Sequence, residues 1–356
     1  MPDAGAVASR SPLARDLHPA YFAIVMATGI VSVAAHLRGL SGISRTLIVI
    51  NVGFYLILWA LTLYRVAAFR RQFVADLFDH SRSLGFFTTA AATCVLGNQF
   101  VVVMPRPQLA GALWVFGIVL WALITYSVLT ILTVKPQKPT LAEGIHGGWL
   151  VAVVASQAVA TLGALLLPYL TAARDIAMFY SLMMWLGGGM LYIWIIALIF
   201  YRYTFFPLDA RQLAPPYWIN MGAMAISTLA GTILSENAVG SPLLTKLHPF
   251  VLGLTLLFWA TATWWIPLLL ALGLWRHVIQ RVPLGYDAVY WSAVFPLGMY
   301  SACTHRLARV VDQPFLGVIS ESFLWIALAA WVVTLFGLLR RQTRWIRGIA
   351  RLNHRS

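Results

Sequence analysis

The sequence predicts an all-α integral membrane protein with ten transmembrane helices, and three observations predict it. Of its 356 residues 60% are hydrophobic and only 10% are charged, whereas soluble domains carry about a quarter charged residues. Ten apolar runs are each long enough to cross roughly 30 Å of hydrocarbon. None of these runs shows the alternating pattern of an outer-membrane barrel strand.

The runs fall at 19–37, 46–69, 85–104, 108–134, 147–167, 177–201, 215–235, 248–275, 285–305 and 314–339. The first follows a short N-terminal segment, 1–18, that contains Asp3, Arg10, Arg15 and Asp16 and no apolar core of its own, so no cleaved signal peptide is expected. Runs three and four are separated only by Pro105-Arg106-Pro107 and must form a tight hairpin. The mid-span run Gly187-Gly188-Gly189 follows no strand and lacks a Lys-Ser/Thr partner, which excludes a phosphate loop and points to close helix packing. Pro19, Pro215, Pro216 and Pro249 sit in first turns, where a missing N–H costs nothing, but Pro267 and Pro296 lie inside runs eight and nine and should kink them. After run ten comes a basic tail, 340–356. No polar segment exceeds about twenty residues, so 1–356 reads as a single transmembrane domain.

The net charge of +14 is explained by where the charges lie. With both termini in the cytoplasm, 18 of the 25 Lys and Arg residues fall in inner segments and 7 outside. The positive-inside rule therefore places both termini inside a cell (plasma) membrane. The excess orients helices and meets anionic lipid head groups rather than nucleic acid. The expected partners are the lipid bilayer and a small-molecule cargo.

Gly, Ser, Thr, Asn and Gln make up 28 of the 97 positions in the trimmed odd runs and 24 of 127 in the even runs. Small and hydroxyl-bearing residues permit close helix approach or line a polar path, so the odd helices are candidates for an inner ring. Between their ends these runs hold no Asp, Glu, Lys or Arg. The pore-lining candidates are Thr28, Thr88, Thr93, Ser156, Gln157, Asn220, Ser227 and Ser292. The alternative is that their hydroxyls bond back to helix carbonyls and hold helices together. A neutral lining suits an anion better than a cation, because cation pores carry acidic rings or carbonyl cages. Arg306 and Arg309, beyond run nine on the outer side, are candidates for attracting anions to the outer mouth, unless they pair with Asp312 or Glu321.

Other chemistries find no support. The eight histidines lie at run ends or in loops, and no pair has zinc-helix spacing. No metal, haem or other cofactor is expected. No nucleophile–base pair or acid at membrane depth suggests an enzyme. Cys94 and Cys303 sit in apolar runs and read as buried thiols.

Five short motifs, one in each odd run, resemble one family. They are His18-Pro19-Ala20-Tyr21-Phe22-Ala23-Ile24-Val25-Met26-Ala27-Thr28-Gly29-Ile30, Gly85-Phe86-Phe87-Thr88, Gly147-Gly148-Trp149-Leu150 with Ser156-Gln157, Pro216-Tyr217-Trp218-Ile219-Asn220-Met221-Gly222-Ala223, and Phe295-Pro296-Leu297-Gly298. The chain thereby resembles the tellurite-resistance/dicarboxylate transporter family, which includes fungal malate and sulfite permeases and plant slow anion channels. The resemblance implies five helical hairpins whose odd helices surround a central pore, and a homotrimer. It also implies a phenylalanine gate, which falls on Phe295, beside the kink made by Pro296 and Gly298. Ala27 departs from the family's usual glycine at that place.

Two functions are expected from this reading. One is an anion channel or transporter for small anions, organic C4-dicarboxylates or inorganic oxo-anions, through a neutral pore. The other is a proton-coupled secondary transporter of malate, succinate, sulfite or tellurite, for which the titratable candidates are His36, His146, His305, Glu236 and Glu321.

Overall fold

The computed structural model describes residues 12–283 and 285–353, with side chains over 14–283 and 285–343. Arg10, the rest of segment 1–11, and the tail's side chains beyond 343 lie outside the described residues. The secondary structure among the described residues is helical. Ten long helices carry the fold: α1 (Ala23–Leu37), α2 (Ser41–Ala68), α3 (Phe87–Val102), α4 (Pro107–Val134), α5 (Val151–Leu166), α6 (Arg174–Phe205), α7 (Ile219–Glu236), α8 (Pro242–Leu274), α9 (Trp291–Val310) and α10 (Leu316–Asn353).

Nine of these, counted among the described residues, are long and apolar enough to cross a membrane, one fewer than the ten runs expected. The exception is α9. Its Ser292, Pro296, Ser301, Thr304, His305, Arg306 and Arg309 dilute its hydropathy, and it meets protein rather than lipid on most sides. It also begins six residues later than the run at 285–305, because Asp287 caps the turn Ala288–Tyr290 that leads into it. The segment between the second and third apolar runs holds the helix Arg70–Phe78. Its polar composition hides it from a hydropathy reading.

Burial separates the helices into two sets. In the apolar windows of the first, third, fifth and seventh spans 78–94% of residues are buried, against 17–44% in α2, α4, α6, α8 and α10. The inner helices form a closed ring of neighbours, α1 to α3 to α5 to α7 to α9 and back to α1, and each outer helix packs on the inner helix before it.

Glycine lets the ring close, because helix backbones approach only where no Cβ intervenes. A Cβ on Gly29 would lie 2.6 Å from Val95 of α3, and one on Gly222 2.6 Å from Pro296 of α9. Gly298 faces Ile30 and Val31 of α1 at 3.0–3.1 Å, and Gly97 faces Leu162 of α5. Within the glycine run of α6, Gly188 meets Gln157 and Gly189 meets Phe258, while Gly187 faces open space.

Each inner helix is entered through a 3-10 turn: Pro19–Phe22, Ser83–Phe86, Gly147–Leu150, Pro215–Trp218 and Ala288–Tyr290. The five turns touch one another in the same circular order, making a collar at one end of the ring. Backbones meet directly there. A Cβ on Gly147 would run into the Pro216 carbonyl, and one on Gly85 would lie 2.7 Å from the Ala20 nitrogen. Three turns have a side-chain cap in the same place. His18 Nδ1 accepts from the Ala20 N–H (3.1 Å), His146 Nδ1 from Gly148 (3.1 Å) and Asp287 Oδ1 from Val289 (3.2 Å). A fivefold pseudo-repeat that no sequence self-similarity announces is thus written in turns and caps.

Candidate functional site

The residues facing the ring's axis follow from which faces are already engaged. In α9, Pro296 packs on Gly222 of α7 and Gly298 on α1. Tyr300 bonds Thr263 of α8 (2.7 Å), Thr304 accepts from Trp259 of α8 (3.0 Å), and Ser301 and Ser320 of α10 exchange side-chain-to-carbonyl bonds (2.7 and 2.9 Å). At 100° per residue the face left over holds Phe295, Met299, Ala302 and Arg306. Phe295 and Met299 are fully buried there. Pro296 deprives the helix of one N–H at that level and so loosens the turn behind Phe295.

The polar residues expected to line a path are hydrogen-bonded within the helix bundle. Trp331 of α10 donates to Thr28 (3.0 Å), Trp121 of α4 to Ser156 (2.8 Å), and Tyr55 of α2 shares a bond with Thr93 (3.0 Å). Gln157 donates to the Trp185 carbonyl of α6 (2.9 Å), Trp185 donates to the Ser227 carbonyl (2.8 Å), and Asn220 donates to Tyr203 (3.3 Å). The Ser227 hydroxyl bonds back to Ala223. Thr88 bonds the Pro19 and Gly85 carbonyls, and Ser292 bonds the Val289 carbonyl. Thr28, Thr93, Ser156 and Asn220 bond the preceding outer helix, joining α10 to α1, α2 to α3, α4 to α5 and α6 to α7, and Thr304 joins α9 to α8 in the same way. Gln157 bonds the following helix α6, and Thr88, Ser227 and Ser292 bond nearby carbonyls. An interhelical bond of this kind is worth about 0.6 kcal/mol on average in a bilayer. The signal for it in the sequence is the tryptophan content of the even runs, since each buried indole N–H needs an acceptor.

Two inner-helix side chains are buried with no hydrogen-bond partner among the described residues, Asn98 of α3 and Ser235 of α7. In Asn98 this holds for both the amide nitrogen and the oxygen. On α3 it lies one turn beyond Cys94, about 40° round the helix from the side chain that meets Gly117 of α4. Among the described residues no group of His, Cys, Asp and Glu could hold a metal ion, and both cysteines are free and buried.

Charge sits at the two ends of the ring. At the end away from the collar, Arg306 pairs with Glu236 of α7 (2.5 Å) and Arg38 pairs with Glu321. Arg306 therefore does not pair with Asp312 or Glu321, and its charge is offset at the mouth. Arg309 is exposed with no ion pair among the described residues. With Glu236→Gln the guanidinium of Arg306 loses its counter-charge, and that end of the ring should become more positive, an effect strong in low salt and screened in high salt.

At the collar end Arg202 of α6 is buried and has no carboxylate partner among the described residues. Its guanidinium donates to the Ala142 carbonyl (2.6 Å), the Tyr217 hydroxyl (2.5 Å) and Gln212 Oε1 (2.9 Å). Beside it, burial, with Arg202 and His80 adding to the effect, pushes His146 down to about 4. Since His146 Nδ1 accepts from Gly148, the proton of the neutral ring is on Nε2, which has no partner among the described residues. Burial, with Arg82 adding to it, likewise lowers His18. A histidine depressed in the fold costs nothing above its unfolded value near 6.5. As pH falls from there toward 4 the unfolded chain binds a proton that the folded one refuses, so stability declines through that window. Thermal unfolding in detergent should show this slope, and His146→Gln should flatten it.

Two comparisons bear on what such a ring does. Residues 16–339 match the family described as SLAC1, voltage-dependent anion channel. The chain belongs to the SLAC1 family of voltage-dependent anion channels. The family foreseen in the five inner-helix motifs, whose slow anion channels are these, is the one found. Similar known proteins include an uncharacterized transporter of Methanocaldococcus jannaschii, 25% identical over 92% of this chain and 95% of the relative. A sulfite efflux pump of Trichophyton rubrum is 22% identical over 89% of this chain and 88% of the relative. An uncharacterized membrane protein of Mycobacterium tuberculosis is 40% identical over 46% of this chain and 83% of the relative. The SLAC1 family is one of channels and transporters rather than enzymes, in keeping with the helices found here.

Proposed function

We propose that the chain passes small anions along the axis of the inner ring, with all ten helices spanning the bilayer as five hairpins and Phe295 closing the path. The observation that carries this reading is the ring itself. Five parallel helices enclose an axis that holds no Asp, Glu, Lys, Arg or His over their middle turns, the charged Arg306 and Glu236 lying toward one end, and Phe295 beside Pro296 is buried on the side of α9 that meets no neighbouring helix. We assign the lining chiefly to apolar residues such as Ile30, Ala158, Ile226, Phe295 and Met299, and not to Thr28, Thr93 and Ser156, whose hydroxyls are bound to outer helices.

Anion preference comes from the collar. All five inner helices begin there, and each helix N-terminus presents about half a positive charge. Buried Arg202 adds a further charge. The distribution of basic residues supports a cytoplasmic collar, with both termini on that side of a plasma membrane. An apolar wall cannot replace a hydration shell, so weakly hydrated anions should pass fastest. Gly187 lies in an apolar groove on α6 with Phe179, Met183, Leu186 and Met190, a surface suited to subunit contact in a homotrimer.

The test is flux in proteoliposomes. Nitrate and chloride uptake should follow the imposed membrane voltage, with nitrate the faster. The second reading, a proton-coupled carrier of sulfite, tellurite or a C4-dicarboxylate, is favoured by the name of the Trichophyton relative. Uphill accumulation of any of these anions driven by a pH gradient alone would replace the channel with the carrier.

A further inference from the structure

At the collar end of α10 a cavity of about 570 Å³ opens between that helix and the loop leading to α9. Its walls are graded. Arg340 and Arg341 stand at one end, exposed and without a carboxylate partner among the described residues. Tyr286 and Tyr290, both half-buried, lie across from them. At 1.5 Å per residue, Val333 lies about 10 Å deeper along the helix than Arg340. Val333 and Phe336 are both exposed on the cavity side. Tyr286 is fixed in place. Its ring lies flat on Gly337, where a Cβ would come within 2.5 Å, and its hydroxyl accepts from Trp291 Nε1 (3.3 Å).

We propose that this cavity holds one anionic phospholipid of the leaflet on the collar side. Two unpaired guanidinium groups and the tyrosines receive the phosphate, because arginine donates to phosphate oxygens in a matched fork. The acyl chain lies along Val333 and Phe336. The charge is complementary, in a chain of net +14 whose basic residues crowd this side. The gradient from cationic through aromatic to apolar follows a phospholipid from head group to tail, and neither a soluble anion nor an α-helix has that profile. The bound lipid touches the loop that carries Trp291, the first residue of α9, and so reaches the helix of Phe295.

The full chain, extracted from vesicles of phosphatidylcholine with phosphatidylglycerol, is examined by native mass spectrometry. Phosphatidylglycerol should stay bound. The variant Arg340→Gln/Arg341→Gln should retain it about thirtyfold less, the scale set by two surface arginines. Val333→Trp, which obstructs the tail groove and keeps both charges, should also lose it. Inorganic phosphate should not displace the lipid, which separates a lipid site from a simple anion site. Equal retention by the variants, or displacement by phosphate, would overturn the proposal. So would a change in oligomer mass in either variant, which makes the cavity a contact between copies of this chain.

Discussion

Phe295→Ala should raise anion flux at least about tenfold over the parent in proteoliposomes, equivalent to removing a barrier of about 1.4 kcal/mol. The ring is fully buried on the one face of α9 that meets neither α1, α7, α8 nor α10. An apolar side chain across a narrow path holds it shut by excluding water as well as by bulk. Pro296 and Gly298 leave the adjoining backbone free to tilt, so the ring can swing aside without breaking a bond that the helix already lacks. The same substitution in a packed core would cost about 3–5 kcal/mol through the cavity it leaves. The two roles separate cleanly by experiment. A gate gives high flux with a small loss of thermal stability, because water fills the vacated space. A packing residue gives a large loss of stability and no gain in flux, and that outcome would remove Phe295 as the gate. Phe295→Leu, which keeps most of the bulk, should stay near the parent.

Much of this arrangement was legible in the sequence. Run lengths locate the long helices, all of them apolar enough to cross a membrane except α9, and the five motifs fall one to each inner helix. Glycines such as Gly97 and Gly222 could be read as contact points because only glycine admits a neighbouring backbone so closely. The face that each hydroxyl takes could not be read. A helix buried on all sides shows no amphipathic period, so Thr28, Ser156 and Gln157 gave no sign of whether they look inward or outward. Two of them, Thr28 and Ser156, accept from a tryptophan of the preceding outer helix. Long-range ion pairs were equally hidden, since Glu236 and Arg306 are 70 residues apart. The helix Arg70–Phe78 escaped because its stability comes from a charge pair and not from hydropathy.

That charge pair sets the second large effect, a loss of about 3–5 kcal/mol in Asp76→Ala. Asp76 accepts from Arg65 (2.6 Å) and from two nitrogens of Arg82 (2.6 and 3.1 Å). Arg65 is 4% exposed and also donates to the Arg15 carbonyl, so it ties the N-terminal segment, α2 and the helix Arg70–Phe78 at one point. Removing the carboxylate leaves the Arg65 guanidinium buried with one carbonyl for company, and that desolvated charge is the main cost. Arg82 contributes less, because it is 33% exposed and water can take over its solvation. The effect reaches the proposed pathway, since Arg82 directly precedes the collar turn Ser83–Phe86. Asp76→Ala should therefore lower the unfolding temperature and make collar-end amides exchange faster. In Arg65→Met/Asp76→Leu the buried charge and its partner leave together, and most of the stability should return. A double variant as unstable as Asp76→Ala would mean that Arg82 and not Arg65 carries the cost.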